Sequence, residues 1–205
     1  MHQTRNEVIR ALPLPRKGTK YVAYALRHNS TSVSIVVAIR DMLKLASTSK
    51  EVKGMIHNKA LKINGKPAKD LHDPINLFSI FHADKNYKLT VLPTGRFVFE
   101  ETKDTSRHLK IISKTAMNKT TFQYGLHDGT NVVAKHNYAV GDTLVLDFEN
   151  KVKEHVALEK SKKVFVFSGS NIGKNGKVES VNGKKVTVKF EKEGAVLNNA
   201  QVIAI

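Results

Sequence analysis

Cysteine and tryptophan are absent from the 205 residues, and only 7% of positions are aromatic. Without cysteine there is no disulfide and no thiolate metal site. Aliphatic side chains must therefore supply the core, and a chain of this length is expected to divide it among two or three small modules. No apolar run approaches the length that spans a bilayer, and the stretch from Met1 to Glu7 lacks the apolar centre of a signal peptide. The chain reads as soluble and cytoplasmic. Acidic residues are also few: 18 Asp+Glu stand against 34 Lys+Arg, a net charge of +16. A field of that sign draws polyanions and points to nucleic acid.

The excess is uneven. Residues 1–80 hold 14 Lys/Arg and 5 Asp/Glu, residues 81–160 hold 12 and 10, and residues 161–205 hold 8 and 3. Two basic ends flank a nearly neutral middle, which suggests that the ends grip phosphates while the middle is a spacer or faces protein. No acid occurs between Arg10 and Arg40. Within that stretch Pro13 and Pro15 break any helix, and Arg16-Lys17-Gly18-Thr19-Lys20 forms a basic turn. Residues 1–32 read as a basic extended arm that orders on a polyanion.

From Ser34 to Ala46 the spacing of Ile35, Val36, Ile39, Met42, Leu43 and Ala46 predicts a helix, with Arg40 and Lys44 sharing an exposed face. Thr48-Ser49-Lys50-Glu51 fits a capping box that opens a second helix to about Asn58. That helix would bury Val52, Met55 and Ile56 and turn Lys50, Lys53 and His57 outward. Leu61-Lys62-Ile63 reads as a strand, Asn64-Gly65 as a hairpin turn and Ile75–Phe81 as a further strand.

The middle shows short apolar stretches punctuated by turns: Tyr87–Leu92, Phe97–Glu100, Leu109–Ile112, Thr121–Gly125, Val132–Ala134 and Thr143–Phe148. Their regular spacing predicts a small β-barrel or sandwich. Past residue 161, Val164–Phe167, Lys177-Val178, Val186–Phe190 and Val202-Ile203 alternate as strands, with Asn182-Gly183 closing a hairpin. The loop Ser168–Lys177 carries three glycines, suited to positive φ and close backbone approach, beside Lys174 and Lys177.

Signals for catalysis are missing. None of the nine histidines lies in HExxH or another ligand spacing, and Asn175 stands where a phosphate-binding loop needs Ser or Thr. Glu100-Glu101 would point to opposite faces of a strand, and Gly-x-Ser-x-Gly is absent. No enzyme, metal, cofactor, small-molecule substrate or membrane partner is expected.

The two-helix pattern from Val33 to Asp70 resembles an S-four-type RNA-binding domain, and the glycine-lysine loop Gly169–Lys177 resembles a KOW motif of SH3-like barrels. Taken in order, Leu14–Lys20, Leu43–Ala46 with Lys50–Lys53, Ile63–Lys66 and Gly169–Gly173 with Gly176 resemble the archaeal/eukaryotic-type family of small-subunit ribosomal protein four, its archaeal members most. The resemblance implies a multidomain, mainly β chain with one α+β module. Its parts would be an arm over 1–32, the RNA-binding domain over 33–80, a central β-barrel-like domain over 81–160 and an SH3-like KOW barrel over 161–205. It further implies a structural protein of the small subunit, with rRNA and neighbouring ribosomal proteins as partners. The implied contacts are Arg16, Lys17, Lys20 and Arg27 in the arm, and Arg40, Lys44, Lys50 and Lys53 at the helices. Lys59, Lys62, Lys66 and Lys69 would follow around the hairpin, and Lys174 and Lys177 in the last module. Gly54 and Lys59-Ala60 depart from the family's helix pattern. Two other readings share single motifs: an RNA-modifying enzyme such as a pseudouridine synthase, and a KOW-type transcription elongation factor. Neither accounts for the whole order of modules.

Overall fold

Antiparallel strands are the main regular structure, with two short helices near the start of the chain. The computed structural model describes residues 2–27, 31–190 and 193–205. Contacts divide the chain into two compact units, Met1–Thr105 and Ser106–Ile205.

In the first unit β1 (His2–Thr4) pairs with β2 (Tyr21–Ala23). The expected free arm is therefore tied down along part of its length; its residues 1 and 28–30 lie outside the described set. Arg5 supplies the reason. Its guanidinium donates to the carbonyls of Thr19 and Pro15 and to the Thr19 hydroxyl, drawing the basic turn back onto the start of the chain. Leu12, Val22 and Ala25 are buried, and the Phe97 amide donates to the Ala11 carbonyl.

β3 (Ser32–Ser34) leads into α1 (Ile35–Val37), which runs on as a π-helical turn over Ala38–Met42. The expected helix to Ala46 stops early. Three successive β-branched residues propagate a helix poorly, the Leu43 amide reaches the Ala38 carbonyl, and Lys44 turns left-handed at φ 56°. Every residue from Ser32 to Ile39 is buried, so this segment is core all round and not a one-sided stripe. α2 (Ser49–His57) forms as expected: the Thr48 hydroxyl accepts from the Glu51 amide, and the Glu51 carboxylate accepts from Thr48 and Ser47. Those bonds also hold the Glu51 carboxyl below its ordinary range. Val52 and Ile56 are its buried side. At its end Lys59 takes φ 55° and its amide bonds the Ile56 carbonyl, while Ala60 bonds Met55. This is a Schellman motif with lysine where glycine is usual.

Gly54 sits exposed in the middle of α2, and a Cβ there would meet nothing within 4 Å. Gly54→Ala is expected to stabilise the protein by about 1 kcal/mol, since glycine is costly inside a helix and nothing requires it here. Urea unfolding reads this directly, and a loss of stability would contradict the open surroundings.

β4 (Lys62–Ile63) and β5 (Lys66–Pro67) join through Asn64-Gly65, both at positive φ as a type I′ turn requires. Pro67 lies on the edge strand, where its missing N–H does no harm. β6 (Pro74–Asn76) pairs with β3, whereas β7 (Ile80–His82), β8 (Asn86–Val91) and β9 (Phe97–Glu101) continue the sheet in the order β5-β4-β7-β8-β9. The expected single strand Ile75–Phe81 is broken by Phe78, held at φ 62° with its side chain buried and its amide on the Leu89 carbonyl. Local sequence carries no warning of a bulky left-handed residue.

The second unit contains two five-stranded sheets. The first has β10 (Ser106–Asn118), β11 (Thr121–Leu126), β12 (Asn131–Ala134), β13 (Thr143–Asp147) and β14 (Val152–Val156), ordered β12-β11-β10-β13-β14. Leu109, Ile111, Tyr124, Leu144 and Leu146 fill its core. The second has β15 (Lys163–Val166), β16 (Asn175–Asn182), β17 (Lys185–Lys189), β18 (Gly194–Asn198) and β19 (Val202–Ala204), ordered β18-β17-β16-β15-β19. Here the inward set is Val164, Val166, Val178, Val186, Val188 and Val202. The hairpin near Asn182-Gly183 is shifted by one residue. Asn182 pairs with Lys185, so Gly183 at φ 60° is the first loop position of a type II′ turn. β14 and β18 add strands that the apolar pattern does not signal.

Candidate nucleic-acid interface

The capping box that starts α2 fixes its rotation, and burial of Val52 and Ile56 turns Lys50, Lys53 and His57 to solvent. Positions three and seven apart share one helix face. Neither lysine makes an ion pair among the described residues. Lys59, Lys62, Lys66 and Lys69 are likewise exposed along the α2 end and the β4–β5 hairpin, with Lys62 opposite Pro67 and Lys66 opposite Ile63.

Arg40 and Lys44 are not the paired helix face that their spacing implies, because the helix ends between them. Arg40 is partly buried and forks onto its neighbour Asp41, with Nε and Nη2 at 2.9 and 2.8 Å from the carboxylate oxygens. Hydrogen bonding to Asp41 pushes the Arg40 guanidinium up from its ordinary value, against burial. Its charge is thereby answered locally, while Lys44 stays exposed. Two clefts nonetheless bring the arm to this point. One of about 540 Å³ is lined by Arg5, Lys17, Tyr21 and Arg40, and one of about 500 Å³ by Pro15, Arg40 and Lys44. Arg16, Lys20 and Arg27 are exposed, and Lys20 lies 5.3 Å from the centre of the Tyr21 ring.

In the second unit Lys174 and Lys177 are both exposed, Lys174 bonding Asn171 Oδ1 at 2.9 Å. The expected positive φ holds at Gly169 and Gly173, and close approach at Gly176. Two other cations are withdrawn from the surface. Arg107 is buried against Asp128 at 2.9 Å, and Lys110 is buried with its ammonium donating to the Asn199 and Val202 carbonyls and to Asn199 Oδ1. Burial pushes Lys110 down to about 8, with Asp142 opposing. Charge counting along the sequence treats both as surface cations.

Among the described residues no three His, Asp or Glu side chains stand together as a metal site, and no helix is long and apolar enough to cross a membrane. The arrangement is a set of exposed ammonium groups on short, well-anchored elements. Such a surface is suited to positioning phosphates.

Comparison with known proteins points to one family. Residues 83–152 match the family model described as Ribosomal family S4e. The small ribosomal subunit protein eS4 of Methanocella arvoryzae is 30% identical over 188 residues, covering 88% of this chain and 80% of the relative. That of Archaeoglobus fulgidus is 29% identical over 187 residues, with the same coverage. The crystal structure of the 30S ribosomal protein S4e from Thermoplasma acidophilum superposes with a TM-score of 0.74 at 22% identity, over 85% of this chain and 95% of that one. At that identity the likeness speaks for the fold.

Proposed function

The chain belongs to the eS4 family of small-subunit ribosomal proteins, and from that membership we infer how it works in the small subunit. It is a structural constituent, and its partners are the subunit's rRNA and neighbouring ribosomal proteins in the cytoplasm. The observation that carries the reading is the exposed lysine face of Lys50 and Lys53 in a chain of net charge +16.

The finer division follows as part of the same reading. Residues 1–32 act as the basic arm, 33–80 together with the strands β7–β9 that complete its sheet as an S-four-type domain, the remainder of 81–160 as the central domain and 161–205 as an SH3-like KOW barrel. The KOW reading is supported by the last strand, β19, returning to pair with the first, β15. Lys50 and Lys53 lie along phosphates of folded RNA, helped by Lys59, Lys62, Lys66 and Lys69. Arg16, Lys17 and Lys20, gathered by Arg5, reach between converging strands, with Arg27 and Lys44 beside them. Arg40, already forked on Asp41, contributes least. Lys174 and Lys177 take a second RNA segment, and two weak grips on one chain raise affinity through effective concentration. Shape and 2′-hydroxyl recognition dominate over base reading.

Lys50→Ala with Lys53→Ala is expected to weaken rRNA binding and lower the log–log salt slope by about 1.4–1.8, at about 0.7–0.9 per lost phosphate contact. Filter binding over a salt series measures it. Unchanged affinity and slope would remove this face from the account.

A further inference from the structure

The second sheet of the C-terminal unit carries three lysines in one row. Lys163 on β15 stands opposite Lys177 on β16, and Lys177 stands opposite Lys189 on β17. Their chain neighbours Val164, Val178 and Val188 point into the core, so alternation puts all three lysines on the outer face. Like charges directly opposite one another destabilise a sheet. With strands about 4.8 Å apart, the three stems crowd within roughly 10 Å. None of them makes an ion pair among the described residues. A fold that keeps such a row uncompensated has a surface suited to an outside polyanion.

Beside the row lies a cleft of about 800 Å³, lined by Lys163, Lys177, Lys189, Asn175, Phe190 and Ile205 among others. Phe190 is its aromatic wall, partly buried against the valine core. The ring is seated by Gly176: a Cβ there would lie 3.1 Å from Phe190 Cδ1 and 2.9 Å from the Lys189 carbonyl. Lys174 Nζ lies 5.5 Å from the ring centre. A fixed aromatic face, an amide at Asn175 for a base edge and a row of ammonium groups form the combination that single-stranded nucleic acid uses.

We propose that this cleft binds a single-stranded stretch of RNA, its phosphates along Lys163, Lys177 and Lys189 and one unpaired base stacked on Phe190. The proposal rests on the rRNA-binding reading above and adds to it a second, differently built contact. A paired helix keeps its base faces stacked inside, so only an unpaired nucleotide can use the ring. An acidic protein segment would answer the lysines but would leave the aromatic wall unused.

Because the chain has no tryptophan, Phe190→Trp places a single indole in the cleft of the full-length protein. A short single-stranded oligouridylate is expected to quench it. In the parent background, Phe190→Leu should weaken that oligonucleotide by about 5- to 150-fold. Lys163→Gln, Lys177→Gln and Lys189→Gln together should lower its salt slope by about 2, at about 0.7 per contact on a single strand. Photocrosslinking of a thiouridine-bearing oligouridylate to the unmodified protein, mapped by mass spectrometry, should mark the cleft even if Phe190→Trp folds poorly. Adducts confined to the first unit, or binding unchanged in the triple variant, would overturn the proposal. Quenching by polyglutamate as strong as by RNA would also overturn it and assign the cleft to protein. A folded small-subunit rRNA fragment is titrated alongside. If the parent binds that fragment while the cleft variants behave like the parent, the cleft alone fails; if the parent binds neither RNA, the rRNA reading fails with it.

Discussion

Replacing Asp128 with alanine is expected to destabilise the protein by about 3–5 kcal/mol, the cost of stranding a buried charge. Arg107 and Asp128 have side chains only 3% and 2% exposed and meet at 2.9 Å. Burial pushes the Arg107 guanidinium down from its ordinary value while the Asp128 charge pulls it back. Asn150 Oδ1 accepts from its other terminal nitrogen. Asp128 also accepts from the amide and hydroxyl of Thr130, so it shapes the β11–β12 turn as well as answering the cation. Against a typical total stability of about 5–15 kcal/mol, that loss leaves much of the protein unfolded near its melting range. Arg107→Met combined with Asp128→Leu should recover a large part of it, because an apolar pair carries no unpaired charge. Urea unfolding of the single and double variants reads both effects. A loss below about 1 kcal/mol for Asp128→Ala would show that water reaches the arginine.

Stability should rise between pH 8 and 10 relative to that of a Lys110→Met variant, and the cause is one buried ammonium. In the folded chain Lys110 titrates near 8, against 10.5 for a free lysine, with burial as the largest cause. Between those values the unfolded state binds more protons than the folded one, so the penalty for the buried charge is relieved as pH rises. The full window corresponds to about 3 kcal/mol. Three acceptors match the three donors of the ammonium, which makes the protonated form tolerable at neutral pH. Lys110 ties β10 to the turn before β19, joining the two sheets of the C-terminal unit, with Thr143 and Ala204 making a further bond between them. Tyr87, pushed up to about 12 mainly by burial, acts in the opposite direction only above pH 10. Parallel pH profiles for the parent and Lys110→Met would contradict the assignment.

Much of the local structure is legible in the sequence because it depends on neighbours in the chain. The Thr48–Glu51 box, the Asn64-Gly65 turn and the alternation of Val186 and Val188 each carry their own signal. What is not legible depends on contacts distant in the chain. Asp128 reads as a turn residue, and nothing nearby announces that it neutralises Arg107. Lys110 reads as one more surface lysine until the second sheet closes over it. The row Lys163, Lys177 and Lys189 exists only once strand register is known, so sequence reasoning finds Lys177 and overlooks its two partners. The N-terminal segment looks unable to order itself because Arg5 holds it through backbone carbonyls, and any sequence offers those. The S4e family model, for its part, matches residues 83–152, a stretch largely within the nearly neutral middle and without recognisable chemistry. The family signal and the excess basic charge therefore lie largely on different parts of the chain.

Chemical footprinting of small-subunit rRNA, with and without the protein, reads the rRNA-binding role directly. Protected nucleotides are expected in at least two separate segments, with no modified nucleoside appearing after incubation. One of the two should lose its protection when Lys50 and Lys53 are both alanine, and the other should keep it. An unchanged reactivity pattern on adding the protein, or newly modified nucleosides, would contradict a structural rRNA-binding role.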